Sequence, residues 1–143
     1  MMMSNSLDIA KTRDSLNIPS TFDLNEEFKN IMDEGNHLIA MIGSKDLSIS
    51  QIKIIEMIAF GLASCGHTII TSGGYCGTNY ATIKGALRAS SDKLKVILPQ
   101  TISQQIKEVQ DQLIGVQYII EHSEREHMLL SDASRLCNRE IVS

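Results

Sequence analysis

The sequence has no tryptophan, few other aromatic residues and no long apolar run. Three tyrosines and three phenylalanines occur among 143 residues, so a core must be built from aliphatic side chains, which 43% hydrophobic content can supply. No apolar run reaches the roughly 18 residues of a membrane-spanning helix. The first residues lack the apolar stretch of a signal peptide, and we expect a cytoplasmic protein.

Paired cysteines and clustered histidines are also missing. The three cysteines, Cys65, Cys76 and Cys137, form no CxxC pair, and the four histidines are scattered. This pattern predicts neither a disulfide framework nor a zinc site, and reduced thiols are typical of a cytosolic protein. We expect no metal and no cofactor.

A strong excess of basic residues is absent as well. The net charge of −4 comes from residues 1–36, which contain seven acidic and three basic residues. The other 107 residues contain ten acidic and ten basic residues. A dominant, non-specific nucleic-acid-binding surface usually needs a basic domain. Two local groups remain, each either a phosphate-binding patch or ordinary solvated surface charge: Lys84, Arg88, Lys93 and Lys95, and Arg125, Arg135 and Arg139.

What is present is an alternation of short apolar runs and helical patterns. We predict a flexible segment at 1–22, a short helix at 24–35, strands at 37–44, 67–73, 93–99 and 116–122, and helices at 48–66, 78–91, 103–115 and 123–143. Such alternation indicates an α/β class with a Rossmann-like three-layer αβα fold and a mostly parallel sheet. Residues 23–143 would form one domain, with strand 37–44 buried on both faces.

Helical spacing places Ile106 on the apolar stripe of the helix at 103–115 and Leu129 on that of the helix at 123–143. Ser48 or Ser50 could cap the start of the helix at 48–66, and Gly66 would end it.

A glycine-rich loop follows the second predicted strand. Gly73, Gly74 and Gly77 lie within five residues, directly before a helix. In such folds ligands bind at the carboxyl ends of the strands, and a helix N-terminus offers free N–H groups to phosphate. Thr78 could cap that helix and donate its hydroxyl. The alternative is that the glycines only serve the backbone angles of a tight corner.

Two well-known phosphate motifs are excluded. A P-loop requires lysine after its last glycine, whereas Thr78 and Asn79 follow Gly77. A dinucleotide fingerprint requires a glycine where Ser72 stands and an acidic residue after the next strand, which ends in Leu-Pro-Gln at 98–100. Nicotinamide-dependent hydride transfer is therefore not expected.

Two turns and the last helix carry a family resemblance. "IGSKDLS" after strand one and "TSGGYCGTNYATIKGAL" after strand two resemble the motifs of DNA-processing protein A (DprA/Smf), and "CNREIVS" resembles its Asn-Arg helix. That family belongs with the Lonely Guy (LOG) enzymes to one Rossmann-like superfamily. Lys45 stands where the family has arginine, and Asn79 where it has aspartate.

The resemblance implies a DNA recombination mediator that binds a nucleotide or single-stranded DNA without catalysing a reaction. Its phosphate site would consist of Gly43, Ser44, Lys45, Ser72, Gly73, Gly74, Gly77, Thr78, Asn138 and Arg139. Tyr75, at the tip of the loop, could stack on a base.

Two other functions stay open. One is LOG-like hydrolysis of a nucleoside monophosphate, although "GGYCGTNY" lacks the glutamate of the LOG motif. The other is a shortened remnant without a ligand. Cys76 is either a nucleophile at a helix N-terminus or, as we expect, a small loop residue.

The position of Ser143 bears on assembly. The resemblance implies at least one further strand, beside strand one, after the Asn-Arg helix. We therefore expect an open sheet edge and self-association through it, or a C-terminally shortened product.

Overall fold

The computed structural model describes residues 25–27, 29–30 and 37–143. The chain divides into two compact units, Met1–Glu34 and Gly35–Ser143. In the first unit, residues 25–27 and 29–30 are helical, as predicted. The rest of the predicted helix 24–35 and the predicted flexible segment 1–22 lie outside the described residues.

The second unit alternates strands and helices in the predicted order. The strands are β1 (Leu38–Ala40), β2 (Thr68–Thr71), β3 (Leu94–Ile97) and β4 (Tyr118–Ile120), and the helices are α1 (Ile49–Ser64), α2 (Gly77–Ala89), α3 (Lys107–Leu113) and α4 (Leu130–Val142). Helices α3 and α4 are shorter than predicted, because the 3₁₀ turns Ile102–Gln104 and Ser123–Arg125 occupy the start of each predicted segment.

The four strands form one parallel sheet in the order β1-β2-β3-β4. Each crossover moves one strand further in the same direction, so right-handed connections place α1, α2 and α3 on one face of the sheet. Helix α4 covers the middle of the other face, where Cys137 and Ile141 pack against Ile70 and Ile97. The predicted α/β class, with its Rossmann-like three-layer arrangement, is confirmed.

The close approach of α1 and α2 depends on a glycine. A side chain at Gly85 would meet the backbone oxygen of Glu56 and would lie 3.0 Å from the Cβ of Ala59. Across the same contact, Arg88 of α2 donates a hydrogen bond of 2.8 Å to the Glu56 carboxylate. These two helices therefore pack backbone to backbone.

Helix α1 has clear signals at both ends. Ser48 and Gln51 form a capping box, in which each side chain accepts a hydrogen bond from the other residue's backbone N–H. After the helix, Gly66 adopts a left-handed conformation with φ of 97°. The predicted stop at Gly66 is thus correct.

The predicted burial of Leu38 and Leu129 was wrong. Strand β1 was expected to be buried on both faces, but the side chain of Leu38 is 62% exposed. The reason is that β1 is an edge strand, and α4 packs over the middle of the sheet. Leu129 was expected on the buried face of the last helix and is 72% exposed, because it lies just before α4 begins.

Candidate functional site: a cavity at the ends of the parallel strands

A cavity of about 390 Å³ lies at the carboxyl ends of β1, β2 and β3. Residues 42–45 form one wall and residues 72–76 of the glycine loop form a second. The third wall comes from Pro99 and residues 104–106, and α4 contributes Leu130, Ser134 and Asn138. The volume is within the range of small-molecule sites in proteins.

The first two walls are joined by hydrogen bonds. The backbone N–H and the hydroxyl of Thr78 both donate to the carbonyl of Ser44, at 2.9 and 3.0 Å. Beside them Gly77 has a φ of 73°, and a Cβ there would lie 2.5 Å from the Ser44 oxygen and against the Lys45 backbone. The loop after β2 is thereby held against the turn after β1.

A second network holds the glycine loop to the strand ends. The Thr71 hydroxyl donates to the carbonyl of Met41 at 2.6 Å and lies 3.2 Å from the Asn79 Oδ1 atom. The Asn79 Nδ2 atom donates to the carbonyl of Gly73 at 3.3 Å. Asn79 therefore bridges the strand end and the loop, and its amide needs both an acceptor and a donor atom for these contacts.

The loop presents unused backbone donors beside the cavity. In the described part of the chain, the N–H groups of residues 74–76 make no hydrogen bond. They lead into the first turn of α2, which begins at Gly77 and where the helix dipole adds partial positive charge. The exposed Lys45 lies in the opposite wall. This side of the cavity suits an anion.

The structure brings most of the predicted site residues together. Seven of the ten predicted phosphate-site residues line the cavity, as does Tyr75: Gly43, Ser44, Lys45, Ser72, Gly73, Gly74 and Asn138. Gly77 and Thr78 lie behind the loop, where they contact residues 44–45. The Thr78 hydroxyl is occupied by Ser44, and the helix cap position belongs to Cys76, which makes no side-chain capping bond.

Arg139 lies elsewhere. It lines a separate, shallow depression together with His122, Arg125 and Glu140. There His122 lies between two carboxylates, with Nδ1 2.7 Å from Glu124 and Nε2 2.8 Å from Glu140. Arg125 is 3.8 Å from the same Glu140 carboxylate. The Glu140 contacts are ion-pair distances rather than well-aligned hydrogen bonds.

The two basic groups named from the sequence are partly neutralised. Lys84 and Arg88 lie 3.9 and 2.8 Å from the buried Glu56. Arg135 lies 3.5 Å from Asp132. These ion pairs indicate that the two basic groups are structural or surface charges rather than phosphate-binding patches.

Sequence reasoning missed the third wall. Pro99, Gln104, Gln105 and Ile106 line the cavity from the segment that connects β3 to α3. The only signal was Ile106, whose apolar side chain was assigned to the core stripe of a helix but is 50% exposed. No motif marks this segment.

Cys137 lies buried behind Ser72. Its thiol donates to the carbonyl of Ile97 at 3.1 Å and lies 3.6 Å from the Ser72 hydroxyl. Burial raises the pKa of the Cys137 thiol above its ordinary value. This cysteine is therefore a packing residue, and it supports a residue of the cavity wall.

Comparison with known proteins returned no match to a family model, a curated protein or a solved structure. The likeness to DNA-processing protein A rests on the motifs alone. Within the described residues, no helix has the length and apolar character required to traverse a bilayer. No group of three or more metal-ligating side chains occurs in the same part of the chain.

Proposed function

We propose that this chain binds the phosphate group of a nucleotide in the cavity between the 43–45 turn and the glycine loop. The observation that carries the proposal is the run of N–H groups at residues 74–76, which bond to no described residue and lie beside a 390 Å³ cavity, opposite Lys45. Backbone donors at a helix N-terminus are a recurrent way to bind phosphate, because they match the three oxygens without a desolvated side chain.

The other half of the cavity fits a less polar group. Ile106 and Leu130 are 50% and 56% exposed and line its walls, as do Pro99 and Val109. A ligand with a charged end and a flat, weakly polar end would contact both regions. A nucleotide has these properties, and the motif resemblance to DNA-processing protein A leads to the same ligand class.

The proposed role is binding without catalysis. Hydrolysis of an N-glycosidic bond needs a positioned acid or base. Among the described residues, no aspartate, glutamate or histidine lines the cavity. LOG-like hydrolysis therefore remains the second candidate, and release of free base from a nucleoside monophosphate would favour it.

Single-stranded DNA is the alternative ligand within the binding hypothesis. Tyr75 is 53% exposed at the cavity rim, where a base could stack on its ring. A Tyr75→Ala variant separates the two ligands, because loss of stacking would weaken binding of an oligonucleotide by about 1–3 kcal/mol. Binding of a mononucleotide inside the cavity would change less.

Titration calorimetry with nucleoside monophosphates and a short single-stranded oligonucleotide tests the proposal. Gly74→Asp places a carboxylate among the free N–H groups and should weaken binding by at least about tenfold, since one charge-assisted hydrogen bond contributes about 1.5–3 kcal/mol. Lys45→Ala should also weaken it. Gly115→Asp makes the same chemical change away from the cavity, and Arg139→Ala removes a cation outside it.

The controls should bind as the unchanged chain does. Equal loss of affinity in Gly74→Asp and Gly115→Asp would contradict the site, as would a requirement for Arg139. Absence of binding for every ligand tested would favour the remnant without a ligand.

A further inference from the structure

Among the described residues, the backbone groups along one edge of the sheet have no hydrogen-bond partner. β1 pairs with β2 through residues 37, 39 and 41, as the bonds from Thr68 N to His37 O and from Met41 N to Ile70 O show. In a parallel pair, alternate residues direct their backbone groups to the two sides of a strand. The N–H and C=O groups of Leu38 and Ala40 therefore point away from β2, and no described residue pairs with them.

The side of α1 nearest this edge is apolar and exposed. Ile54 and Ile58 are 56% and 38% exposed. A helix turns by about 100° per residue, so both lie about 160° from Glu56 around the helix axis. Since Glu56 contacts Lys84 and Arg88 of α2, these two isoleucines face away from α2. Helix α2 lies toward β3, so the opposite side of α1 is the side of the β1 edge.

We infer that the β1 edge and the Ile54–Ile58 side of α1 together form a surface for a second copy of this chain. A two-fold axis perpendicular to the sheet would pair the two β1 strands antiparallel and give one eight-stranded sheet. The same axis keeps both α1 helices on one face of that sheet, side by side. A single two-fold axis would therefore bury both the β1 edge and the Ile54–Ile58 side of α1.

The backbone fixes a register for this pairing. With Ile39 opposite Ile39 of the second copy, Leu38 lies opposite Ala40 of the second copy. Directly opposite residues with inward-facing backbone groups exchange two hydrogen bonds in an antiparallel pair. The two symmetric pairs would form four bonds and would satisfy every edge group of Leu38 and Ala40. The exposed Leu38 side chain would gain a cross-strand neighbour.

Charge favours a second copy over a different protein. The residues along this side of α1 are uncharged: Gln51, Ile54, Ile58, Gly61 and Cys65. A surface that meets its own copy must avoid like charges across the axis, whereas a surface for a different protein has no such constraint. The nearest cation on α1, Lys53, lies about 100° from Ile54 around the helix.

Sedimentation equilibrium of the full chain tests this inference, which does not depend on the proposed nucleotide site. The unchanged chain should show twice the 15.8 kDa chain mass. The double variant Ile54→Lys, Ile58→Lys places four cations at the axis and should show the mass of one chain. Ile114→Lys is the matched control, because Ile114 is 83% exposed at the end of α3, between β3 and β4 and away from β1, and should leave the mass doubled.

The pairing of the two β1 strands is tested by a second variant and by amide exchange. Ala40→Pro removes an N–H that the β1–β2 ladder does not use, so it should halve the mass while circular dichroism remains unchanged. The amides of Leu38 and Ala40 should exchange slowly in the dimer and rapidly after dilution.

Three outcomes would overturn the inference. They are a single-chain mass at every concentration, a dimer that persists in both interface variants, and equal dissociation by Ile114→Lys. Protected Leu38 and Ala40 amides in a monomer would show that the edge is covered from within the same chain, which also contradicts it.

Discussion

The glycines of the loop after β2 have different roles. A Cβ at Gly74 would meet mainly the side chain of Asn79, at 2.9 Å, and one at Gly73 would meet Leu98 and Val109. Gly77 differs, because its φ is 73° and its neighbours are backbone atoms of residues 44–45. The interpretation as a tight corner therefore fits Gly77, whereas the proposed phosphate contact would involve Gly74.

We predict that Gly77→Ala destabilises the chain more than Gly66→Ala. Both residues have positive φ, which costs an alanine about 1–2 kcal/mol. Gly66 has open space around its Cβ position, whereas Gly77 faces the Ser44 and Lys45 backbone, so overpacking adds about 1–3 kcal/mol. Urea unfolding of both variants measures the difference. Equal losses would mean that the contact between the two loops is not tight.

Helix geometry explains why only one residue of the Asn-Arg motif in α4 lines the cavity. Asn138 and Arg139 were assigned to the site as a pair because of the family resemblance. Neighbours on a helix point about 100° apart, so α4 directs Asn138 into the cavity and Arg139 to the depression beside Glu140. A sequence motif does not show how the helix is rotated about its axis, and this rotation determines which side chains point into the cavity.

At the scale of elements, the crossing of α1 and α2 is the tightest described helix contact. Gly85 allows it, and its missing side chain leaves room for the carbonyl of Glu56. Backbone atoms in the middle of a helix cannot move without breaking hydrogen bonds. The two helices would therefore have to separate for any larger residue.

We predict that Gly85→Ala destabilises the chain by about 1–3 kcal/mol through overpacking, despite the higher helix propensity of alanine. Gly115→Ala is the control, since its added methyl group would be 3.7 Å from Leu87, an ordinary contact. Thermal unfolding monitored by circular dichroism compares the two. A Gly85→Ala variant as stable as the original chain would show that the crossing is looser than described.

The order and type of the strands and helices could be predicted from the sequence, but the neighbours that pack against each of them could not. Apolar runs, the serines at 48 and 50 and Gly66 located the strands and α1, because these signals act over a few residues, and the structure assigns the cap to Ser48. The exposure of β1 and the third cavity wall depend on which elements become neighbours. Periodicity carries no such information, so Leu38 and Ile106 were both assigned to the core.

At the scale of the whole molecule, Cys137 joins α4 to the sheet. Its thiol donates to Ile97 O, and burial raises the pKa of the Cys137 thiol. A raised folded-state pKa favours folding below the pKa of the unfolded thiol, about 8.5. As the pH rises above that value, the unfolded chain loses the proton first and stability falls.

We therefore predict that unfolding free energy declines between neutral pH and pH above 9, and that Cys137→Ala reduces this decline. Cys65 is exposed, so Cys65→Ala should retain the decline of the original chain. Urea unfolding at the two pH values measures the slope for each chain. Identical slopes in the original chain and both variants would mean that titratable groups other than Cys137 cause the decline.

Strand order belongs to this scale as well. The alternation of elements predicted parallel strands, and all four described strands are parallel. It did not predict that β4 pairs with β3, because local patterns do not encode which strands become adjacent.

The double hydrogen bond from Thr78 to the Ser44 carbonyl has a kinetic consequence. It joins the two rims of the cavity without a ligand, so the proposed binding would not require either rim to rearrange. Association should then proceed in one step at a rate set by diffusion and orientation, and differences in affinity among ligands should reside in their dissociation rates.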